Sequence, residues 1–555
     1  MTNLPIHPSQ QYWQHILSLR RWRYRLKLLL TAALSFGLTV LLAHPIAAAE
    51  RVEFFVFGPF EVTLHVDDLE TFATTGAISE RFAPQARLLS PEQKDSLREL
   101  LNWRFDVDEV MISQFTYSPV GERLLRQAGQ VVQTNNFLSG FSALRAAMIL
   151  AAADEEGCTV INILKHFPLE VVQIDYGLLA QVLDANQRLF GDRQAAIAQI
   201  RQQAAAAANP AALANHDLSA PLNPGPHPWQ VMPLAFQNPG RRQPSRADLY
   251  LPEDLATPAP VVVISHGLAS DLQTFAYLAE HLASHGYGVV VLEHAETNAE
   301  RFTQFLQGQA GPPDPTELLN RPRDITAVLD TLAQRAETEP MLRSLDLQTV
   351  GVWGQSLGGY TVLAAAGATI DRPQLEQVCA APLSQRLSLN ASMLLQCRIT
   401  ELPEASDLAV QDDRIRAVIA ANPFASTIFG PTGMAQIEVP TLIVAGSEDF
   451  LTPALLEQIQ PFSWLTVADA YLMVMEQGTH FSFLASGDRG ALPLPDGVVG
   501  PELGESRTPM KGVSLAFFDR YLRQQSEATP YLDQAYLDTL GSSPAHFSIV
   551  DAVRL

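Results

Sequence analysis

The sequence predicts an α/β protein with a mostly parallel sheet that helices cover on both faces. Two observations support this prediction. Short apolar runs recur from about residue 230, such as 261–264 (VVVI) and 288–292 (GVVVL), and each resembles a strand buried on both faces. Segments of helical character, such as 272–284 and 321–337, lie between these runs. Strands that alternate with helices indicate parallel pairing.

Composition sets the size and excludes several classes of protein. The chain has 555 residues, of which 47% are hydrophobic and 17% charged, so it is a globular chain of about three domains, or of two with one large. The formal net charge is −22 and the body of the chain has no basic stripe, which argues against a nucleic-acid partner. Residues 50–180 contain no cluster of His, Cys, Asp or Glu at metal-ligand spacing. The sequence implies no metal and no organic cofactor.

The amino terminus has the order of an export signal. A basic cluster between Arg20 and Lys27 precedes the apolar run 28–43, and small residues follow at 47–49. We therefore predict a signal peptide over 1–49 and an exported protein, periplasmic or secreted. The alternative is a membrane anchor formed by residues 28–43, because this run approaches the about 20 residues of a spanning helix.

Three regions follow the signal. Residues 50–180 are expected to form a helix-rich amino-terminal domain, whose role the sequence leaves open between a substrate-binding cap, an inhibitory pro-segment and an anchor for a partner. Residues 181–229 read as a helix and a Pro-rich linker. Residues 230–555 form the predicted catalytic domain. Its insertion 370–414 has an apolar face, which fits a cap or lid over an acyl pocket or ordinary packing on the sheet.

The most informative motif is GQSLG at 354–358, directly after the strand-like run 350–353 and directly before a helix. A nucleophile elbow needs this placement, because the serine must occupy a tight turn between strand and helix. We predict that Ser356 is the nucleophile. The backbone N–H of Leu357, at the amino terminus of the helix, is then one donor of an oxyanion hole.

A serine hydroxyl is a poor nucleophile without a base. His480 follows the strand-like run 471–475, and Asp449 follows the run 441–445. The chain order Ser356, Asp449, His480 is the order of the triad that accompanies this elbow. His294, at the end of another strand, is a competing base by position, but it precedes the nucleophile in the chain.

The second oxyanion donor is expected in the loop SHGLA at 265–269. Gly267 allows the loop to approach the nucleophile, and the N–H of Leu268 is the predicted donor. We place His266, Glu293 and His294 at the mouth of the pocket, because they follow strands that end at this edge of the sheet. For His266, packing and hydrogen bonding under the site is favoured over a catalytic role.

Two of the three cysteines, Cys379 and Cys397, fall in the insertion and are a disulfide candidate. In an exported chain such a bridge contributes on the order of 3 kcal/mol for a loop of this size. Cys158 is expected to be a buried thiol, and the three cysteines have no zinc-site spacing.

Four segments occur together in this chain: SHGL (265–268), LASHGY (282–287), LEHAETNA (292–299) and GQSLGG (354–359). On these segments about half of the chain, from residue 261 onward, resembles the platelet-activating-factor acetylhydrolase family of α/β-hydrolases. In the position of its acid, the chain resembles the dienelactone-hydrolase-like serine esterases. With its signal and amino-terminal domain, the chain also resembles exported cyanobacterial α/β-hydrolases. The resemblance implies an α/β-hydrolase fold and Ca²⁺-independent hydrolysis of short or oxidised acyl esters, often on phospholipids.

One position departs from the animal acetylhydrolases, in which the acid follows the strand after the nucleophile strand. Here that place is Asn422, and an amide cannot ionise to stabilise an imidazolium. Asp449, one strand later, is the position that dienelactone hydrolases use. The acid is therefore assigned to Asp449, and the departure bears on the phospholipid substrate more than on the ester chemistry.

The sequence thus predicts an exported serine carboxylic-ester hydrolase that acts through an acyl-enzyme on a small-molecule or lipid ester, of short-chain or phospholipid type. Transient membrane contact is compatible with this function, although the acidic chain disfavours anionic lipid. The alternatives are a lipase with longer acyl preference, a serine peptidase or acyltransferase with the same triad, and a non-catalytic binding module. The oligomeric state is left open.

Overall fold

The computed structural model describes residues 48–56, 60–385, 389–485, 507–540 and 546–553. Residues 1–47 of the predicted signal, with the alternative anchor over 28–43, lie outside the described residues, and the signal and its cleavage stay predictions. Among the helices of the described residues, none combines the length and apolar character that crossing a membrane requires.

Residues 48–175 fold into helices around a small sheet with the strand order β2-β1-β6-β4. The strands are β1 (Arg51–Val56), β2 (Phe60–His65), β4 (Val132–Thr134) and β6 (Val171–Ile174), while β3 (Arg104–Phe105) and β5 (Cys158–Thr159) pair separately. The helices are α1 (Val66–Thr75), α2 (Ala83–Ala86), α3 (Pro91–Asn102), α4 (Glu109–Tyr117), α5 (Pro119–Val131), α6 (Phe141–Ala153) and α7 (Val160–Lys165). The segment predicted as helix-rich therefore also contains a mixed sheet.

A single helix, α8 (Tyr176–Ala207), continues from this sheet into the catalytic region. Its residues Ile197, Ile200 and Ala204 are buried in the same apolar cluster as the strands of the large sheet. The irregular stretch 208–228 follows, with one 3-10 turn over Pro210–Leu213. The helix that was expected to begin a linker therefore packs as part of the catalytic core.

The large sheet has nine strands in the order β15-β14-β13-β12-β11-β9-β10-β8-β7. The six strands from β9 to β14 run parallel, while β7, β8 and β15 are antiparallel at the edges. Their bounds are β7 (Trp229–Phe236), β8 (Ser245–Pro252), β9 (Ala259–Ser265), β10 (Gly288–Glu293), β11 (Leu345–Gln355), β12 (Ile415–Ala421), β13 (Thr441–Gly446), β14 (Ala470–Met475) and β15 (Phe547–Val550). The predicted mostly parallel α/β sheet is confirmed.

Helices cover both faces of this sheet. Along β9, Val261 and Val263 join one apolar cluster with the helices over 317–336 and 357–365. Val262 and Ile264 join the other cluster, with the helices over 276–284 and 507–521. Successive side chains of a strand point to opposite faces, so burial on both faces accounts for the continuous apolar run. The helices are α9 (Ala276–Ser284), α10 (Ala299–Leu306), α11 (Glu317–Ala336), α12 (Leu357–Ala365), α13 (Arg372–Ala380), α14 (Met393–Gln396), α15 (Ser426–Met434), α16 (Gln460–Phe462), α17 (Arg507–Tyr521) and α18 (Gln534–Thr539).

In its described residues, 370–385 and 389–414, the insertion contains α13, α14 and two 3-10 turns. Leu375, Ile399 and Leu402 are buried in the apolar cluster of the sheet, whereas Met393 and Leu394 of the predicted apolar face are only partly buried. The choice between a lid and ordinary packing therefore stays a prediction. The structure joins Cys379 and Cys397 in a disulfide, with an S–S distance of 2.01 Å, and leaves Cys158 as a buried free thiol.

Candidate active site

Ser356 occupies a sharp turn between β11 and α12. Its φ of 59° and ψ of −121° lie where residues other than glycine are uncommon. Its backbone N–H donates to the carbonyl of Ala421 on the neighbouring strand at 2.9 Å. Strained backbone of this kind is found at functional sites, because the surrounding structure must hold it.

The two glycines of GQSLG are required by close backbone approaches. A Cβ at Gly354 would lie 2.2 Å from the carbonyl oxygen of Gly358, and a Cβ at Gly358 would lie 2.0 Å from that of Ser265. No side chain fits at these distances, so only glycine permits the turn. The motif is therefore explained by packing as well as by chemistry.

A hydroxyl, an imidazole and a carboxylate stand in series at this turn. Ser356 Oγ lies 2.8 Å from Nε2 of His480, and Nδ1 of His480 lies 2.7 Å from Oδ2 of Asp449. Asp449 and His480 are buried, with 2% and 5% exposure, whereas Ser356 is partly exposed. The two loops meet because β13 and β14, which precede them, are neighbours in the sheet. The three residues predicted from chain order are thus brought together.

The carboxylate of Asp449 is held by its own turn. Oδ1 accepts the backbone N–H groups of Leu451 and Thr452 at 2.9 and 2.8 Å, and Oδ2 accepts the hydroxyl of Thr452 at 2.7 Å. A fixed carboxylate on Nδ1 favours the tautomer that leaves Nε2 free to accept a proton from the serine. Sequence reasoning missed Thr452, although an Asp three residues before a Thr is typical of such a turn.

Two further amides fix the loop that carries His480. Gln355 Nε2 donates to the carbonyl of His480 at 3.0 Å, and Asn422 Nδ2 contacts the carbonyls of Thr479 and His480 at 3.3 Å each. Asn422 Oδ1 also accepts the N–H of Gly446 at 2.8 Å. Asn422, noted in the sequence only as a departure, is therefore a positioning residue for the histidine loop.

The two predicted oxyanion donors flank the serine in the fold. Leu357 is the first residue of α12, and Leu268 lies in the loop after β9, next to Ala269 with its φ of 61°. Neither amide donates to another residue in the described part of the chain. A Cβ at Gly267 would lie 2.6 Å from Gln355 Oε1 and 3.3 Å from the Cβ of Ser356, so the loop approaches the nucleophile as predicted.

The placement of His266, Glu293 and His294 at the pocket mouth is corrected by their burial, with 0%, 7% and 0% exposure. His266 packs under the site, with Nδ1 on the carbonyl of Gly267 at 2.7 Å and Nε2 accepting the N–H of His294 at 3.1 Å. Glu293 accepts from Arg246 at 2.7 Å. All three follow strands at the expected edge, but the subsequent loops fold over them.

His294, the competing base, does not contact Ser356. Its Nε2 lies 2.8 Å from the hydroxyl of Ser265, and its Nδ1 lies 2.7 Å from Oδ2 of Asp324. Burial, reinforced by the positive charge of Arg321, lowers the pKa of His294 to about 3. The side chain is therefore neutral and acts as a hydrogen-bonding support beneath the strand ends.

A buried ionic network continues from His294. Arg241 pairs with Asp324 at 2.6 Å and with Glu317 at 2.9 Å. Arg321, fully buried, donates to the carbonyl of His266 and, at 2.6 Å, to the hydroxyl of Thr297. Two arginines face two carboxylates, so the charges balance, and buried charges require such pairing. The network fixes the end of β9, from which the loop with Leu268 emerges.

Acidification is expected to destabilise the protein through its buried histidines. Burial lowers the pKa of His266 well below 6.5 and that of His281 to about 3, as it does for His294. The unfolded chain therefore binds more protons below pH 6.5, so the free energy of unfolding falls as the pH decreases, by about 2 kcal/mol each for His281 and His294 at pH 5. Burial raises the pKa of Glu317, which opposes the trend in part.

Urea unfolding at pH 7.5, 6.0 and 5.0 measures this effect. His281 lies on α9 and contacts the carbonyl of Pro221 at 3.0 Å, away from Ser356. His281→Gln should therefore show a smaller loss of stability between pH 7.5 and 5 than the wild type. Equal stability at all three values in the wild type would contradict the prediction.

Glu457 links the insertion to the loop after β12. The side chain is fully buried, and it accepts hydrogen bonds from two backbone amides at the start of α15 and from four side chains. The amides belong to Ala425 and Ser426, and the side chains to Ser426, Asn390, Ser392 and Gln396. The same loop carries Asn422, so the insertion and the histidine loop share one framework.

Comparisons with known families agree with this architecture. A family model described as an alpha/beta hydrolase of unknown function matches residues 48–175, and the model of platelet-activating factor acetylhydrolase, isoform II, matches residues 250–319. The second match contains Leu268 and the buried histidines and ends before Ser356. No curated protein matches the chain. The fold and the two matches together indicate a hydrolase: the chain has the α/β-hydrolase fold and resembles the platelet-activating factor acetylhydrolases.

Proposed function

We propose that the protein is a serine carboxylic-ester hydrolase with Ser356 as nucleophile, His480 as base and Asp449 as the acid that orients it. The observation that carries the proposal is the continuous series from Ser356 Oγ through His480 to Asp449, at 2.8 and 2.7 Å, on a strained elbow. A hydroxyl in this setting is activated for attack on a carbonyl.

In the proposed reaction His480 Nε2 takes the proton of Ser356 as Oγ attacks the ester carbonyl. The carbonyl oxygen becomes an oxyanion, which accepts hydrogen bonds from the backbone N–H groups of Leu268 and Leu357. His480 then protonates the leaving alcohol as the ester C–O bond breaks, which leaves an acyl-serine. Water, deprotonated by the same histidine, attacks the acyl group and releases the acid.

The apolar surroundings of Leu268 support an acyl ester as substrate, and the resemblance to the acetylhydrolases favours a short-chain or phospholipid-type ester. Leu268 packs beside an apolar cluster that contains Phe302, Phe305 and Leu306. Met111, on α4 of the amino-terminal region, packs on the same cluster. The amino-terminal region therefore covers one side of the oxyanion loop, as a substrate-binding cap would.

Hydrolysis of p-nitrophenyl esters from acetyl to long acyl, with and without a chelator, tests the proposal. We expect chelator-insensitive hydrolysis that favours short acyl groups, and no comparable rate in a Ser356→Ala variant. A long-chain optimum would preserve the chemistry and indicate a lipase. Activity on peptides, or transfer to an alcohol in preference to water, would indicate a peptidase or an acyltransferase. Equal rates in both proteins would contradict the proposal, and no activity in either would leave a site blocked by the amino-terminal region or a binding module.

We also propose that the protein works outside the cytoplasm. The Cys379–Cys397 disulfide supports this location, because such bonds persist in oxidising compartments and are rare in the cytosol. Fractionation of cells that express the full chain, with amino-terminal sequencing of the product, separates a cleaved signal from an anchor. Recovery of uncleaved protein in the cytosol would contradict export.

A further inference from the structure

A cavity of about 400 Å³ lies where the amino-terminal region, the insertion and the catalytic region meet. Helix α5 lines one side, α13 and α14 of the insertion line another, and the start of α15 with the helical segment 455–462 closes it. Its lining does not include Ser356, Asp449 or His480. The volume is within the range of small-molecule sites, about 300–1,000 Å³.

Arg123, on α5, is the one lining residue with a formal charge. Its Nη1 donates to the carbonyl of Cys379 over a long 3.4 Å, and no carboxylate of the described residues pairs with it. The nearby Arg126 and Arg145, in contrast, both pair with Glu122. The guanidinium of Arg123 therefore keeps donors available, in the geometry that binds a carboxylate with two hydrogen bonds.

The rest of the lining separates into amides and an apolar wall. Gln127, Gln385 and Gln460 face the cavity, and their side chains form no hydrogen bond with another residue of the described ranges. The apolar wall consists of Val378, Met393, Leu394, Leu456 and Trp464. A ligand that satisfies both parts has a polar acidic end and a hydrocarbon body.

We propose that this cavity binds an anionic amphiphile, a carboxylate on a short hydrocarbon chain, with the acid on Arg123 and the chain against Trp464. The site is separate from the proposed hydrolase site and does not require Ser356 to react. The ligand reaches it either as a free acid or as the acid that an ester releases. Because three regions line the cavity, the bound ligand stabilises the contact of α5 with the insertion.

Titration with octanoate, with binding measured by calorimetry and by tryptophan fluorescence, tests the proposal. We expect saturable binding, and binding at least about tenfold weaker in Arg123→Gln, because a charge-assisted hydrogen-bond pair is lost. Octan-1-ol and octyltrimethylammonium, which match the chain without the acid, should bind more weakly than octanoate. Because the chain has six tryptophans, the fluorescence change must be assigned to one of them. Trp464→Phe should remove the change, while calorimetry still detects binding.

Arg126→Gln is the matched control, because Arg126 is on the same helix and does not line the cavity. It should bind octanoate as the wild type does, and Arg123→Lys should retain part of the affinity. Circular dichroism checks that each variant is folded. Ser356→Ala should bind unchanged, so this test does not depend on hydrolysis, and loss of binding in that variant would place the acid at the elbow instead. Equal affinity of Arg123→Gln and wild type, or of octanol and octanoate, would overturn the proposal.

Discussion

Replacing Ser356 by alanine is expected to lower kcat for ester hydrolysis by at least about 10⁴-fold. The variant loses the oxygen that forms the acyl-enzyme, together with its 2.8 Å hydrogen bond to His480. The free amides of Leu268 and Leu357 remain, so a small residual rate over water is expected. Steady-state kinetics on the preferred p-nitrophenyl ester measure the loss.

A folded variant and a matched serine make this loss specific. Alanine keeps the Cβ of Ser356, so thermal unfolding should change little. Ser284 is another buried serine, whose hydroxyl donates to the carbonyl of His281 on α9, and Ser284→Ala should hydrolyse esters near the wild-type rate. A serine-reactive phosphonate should label the peptide that contains Ser356 in the wild type and in Ser284→Ala. Wild-type turnover in Ser356→Ala would end the assignment.

Asp449→Asn is expected to lower kcat by about 10⁴-fold, the size of the effect in serine proteases with this constellation. An asparagine amide facing His480 donates a hydrogen bond to Nδ1, which favours the tautomer with the imidazole proton on Nε2. The histidine then cannot accept the proton of Ser356. The carboxylate also stabilises the imidazolium, to which it is hydrogen-bonded at 2.7 Å, and a neutral amide does not.

Asn422→Ala separates this effect from damage to the histidine loop. Asn422 contacts backbone groups of Thr479, His480 and Gly446 and not the imidazole ring. Its removal should cost about 1–3 kcal/mol in the free energy of unfolding, because buried groups lose their partners, and should reduce kcat far less than Asp449→Asn. A larger loss of kcat in Asn422→Ala than in Asp449→Asn would contradict the assignment of the acid to Asp449.

The sheet and the series at the elbow could be predicted because their signals are local. A strand buried on both faces is apolar along its length, and GQSLG between such a strand and a helix fixes the turn at Ser356. Chain order then selected Asp449 and His480. The two residues meet because β13 and β14, which precede them, are consecutive in the chain and adjacent in the sheet.

The support around these residues could not be predicted, because it depends on contacts that are distant in sequence. His294 follows the end of β10 whether its side chain is buried or exposed, so its sequence position does not decide its burial. The surroundings that bury it include Asp324 and Arg321, about 30 residues later in the chain. Likewise, the pattern of α8 predicts a helix but not that Ile200 enters the core of the sheet. Strand-end position was therefore a poor guide to exposure.

The buried carboxylate of Glu457 has a consequence for exchanging substrate specificity between related enzymes. Its oxygens accept from Asn390, Ser392 and Gln396 of the insertion and from the start of α15. A foreign insertion without these three donors would leave a buried charge short of partners. The insertion is therefore not an interchangeable module, and a graft that keeps this chain's 390–396 segment should fold where a complete exchange does not.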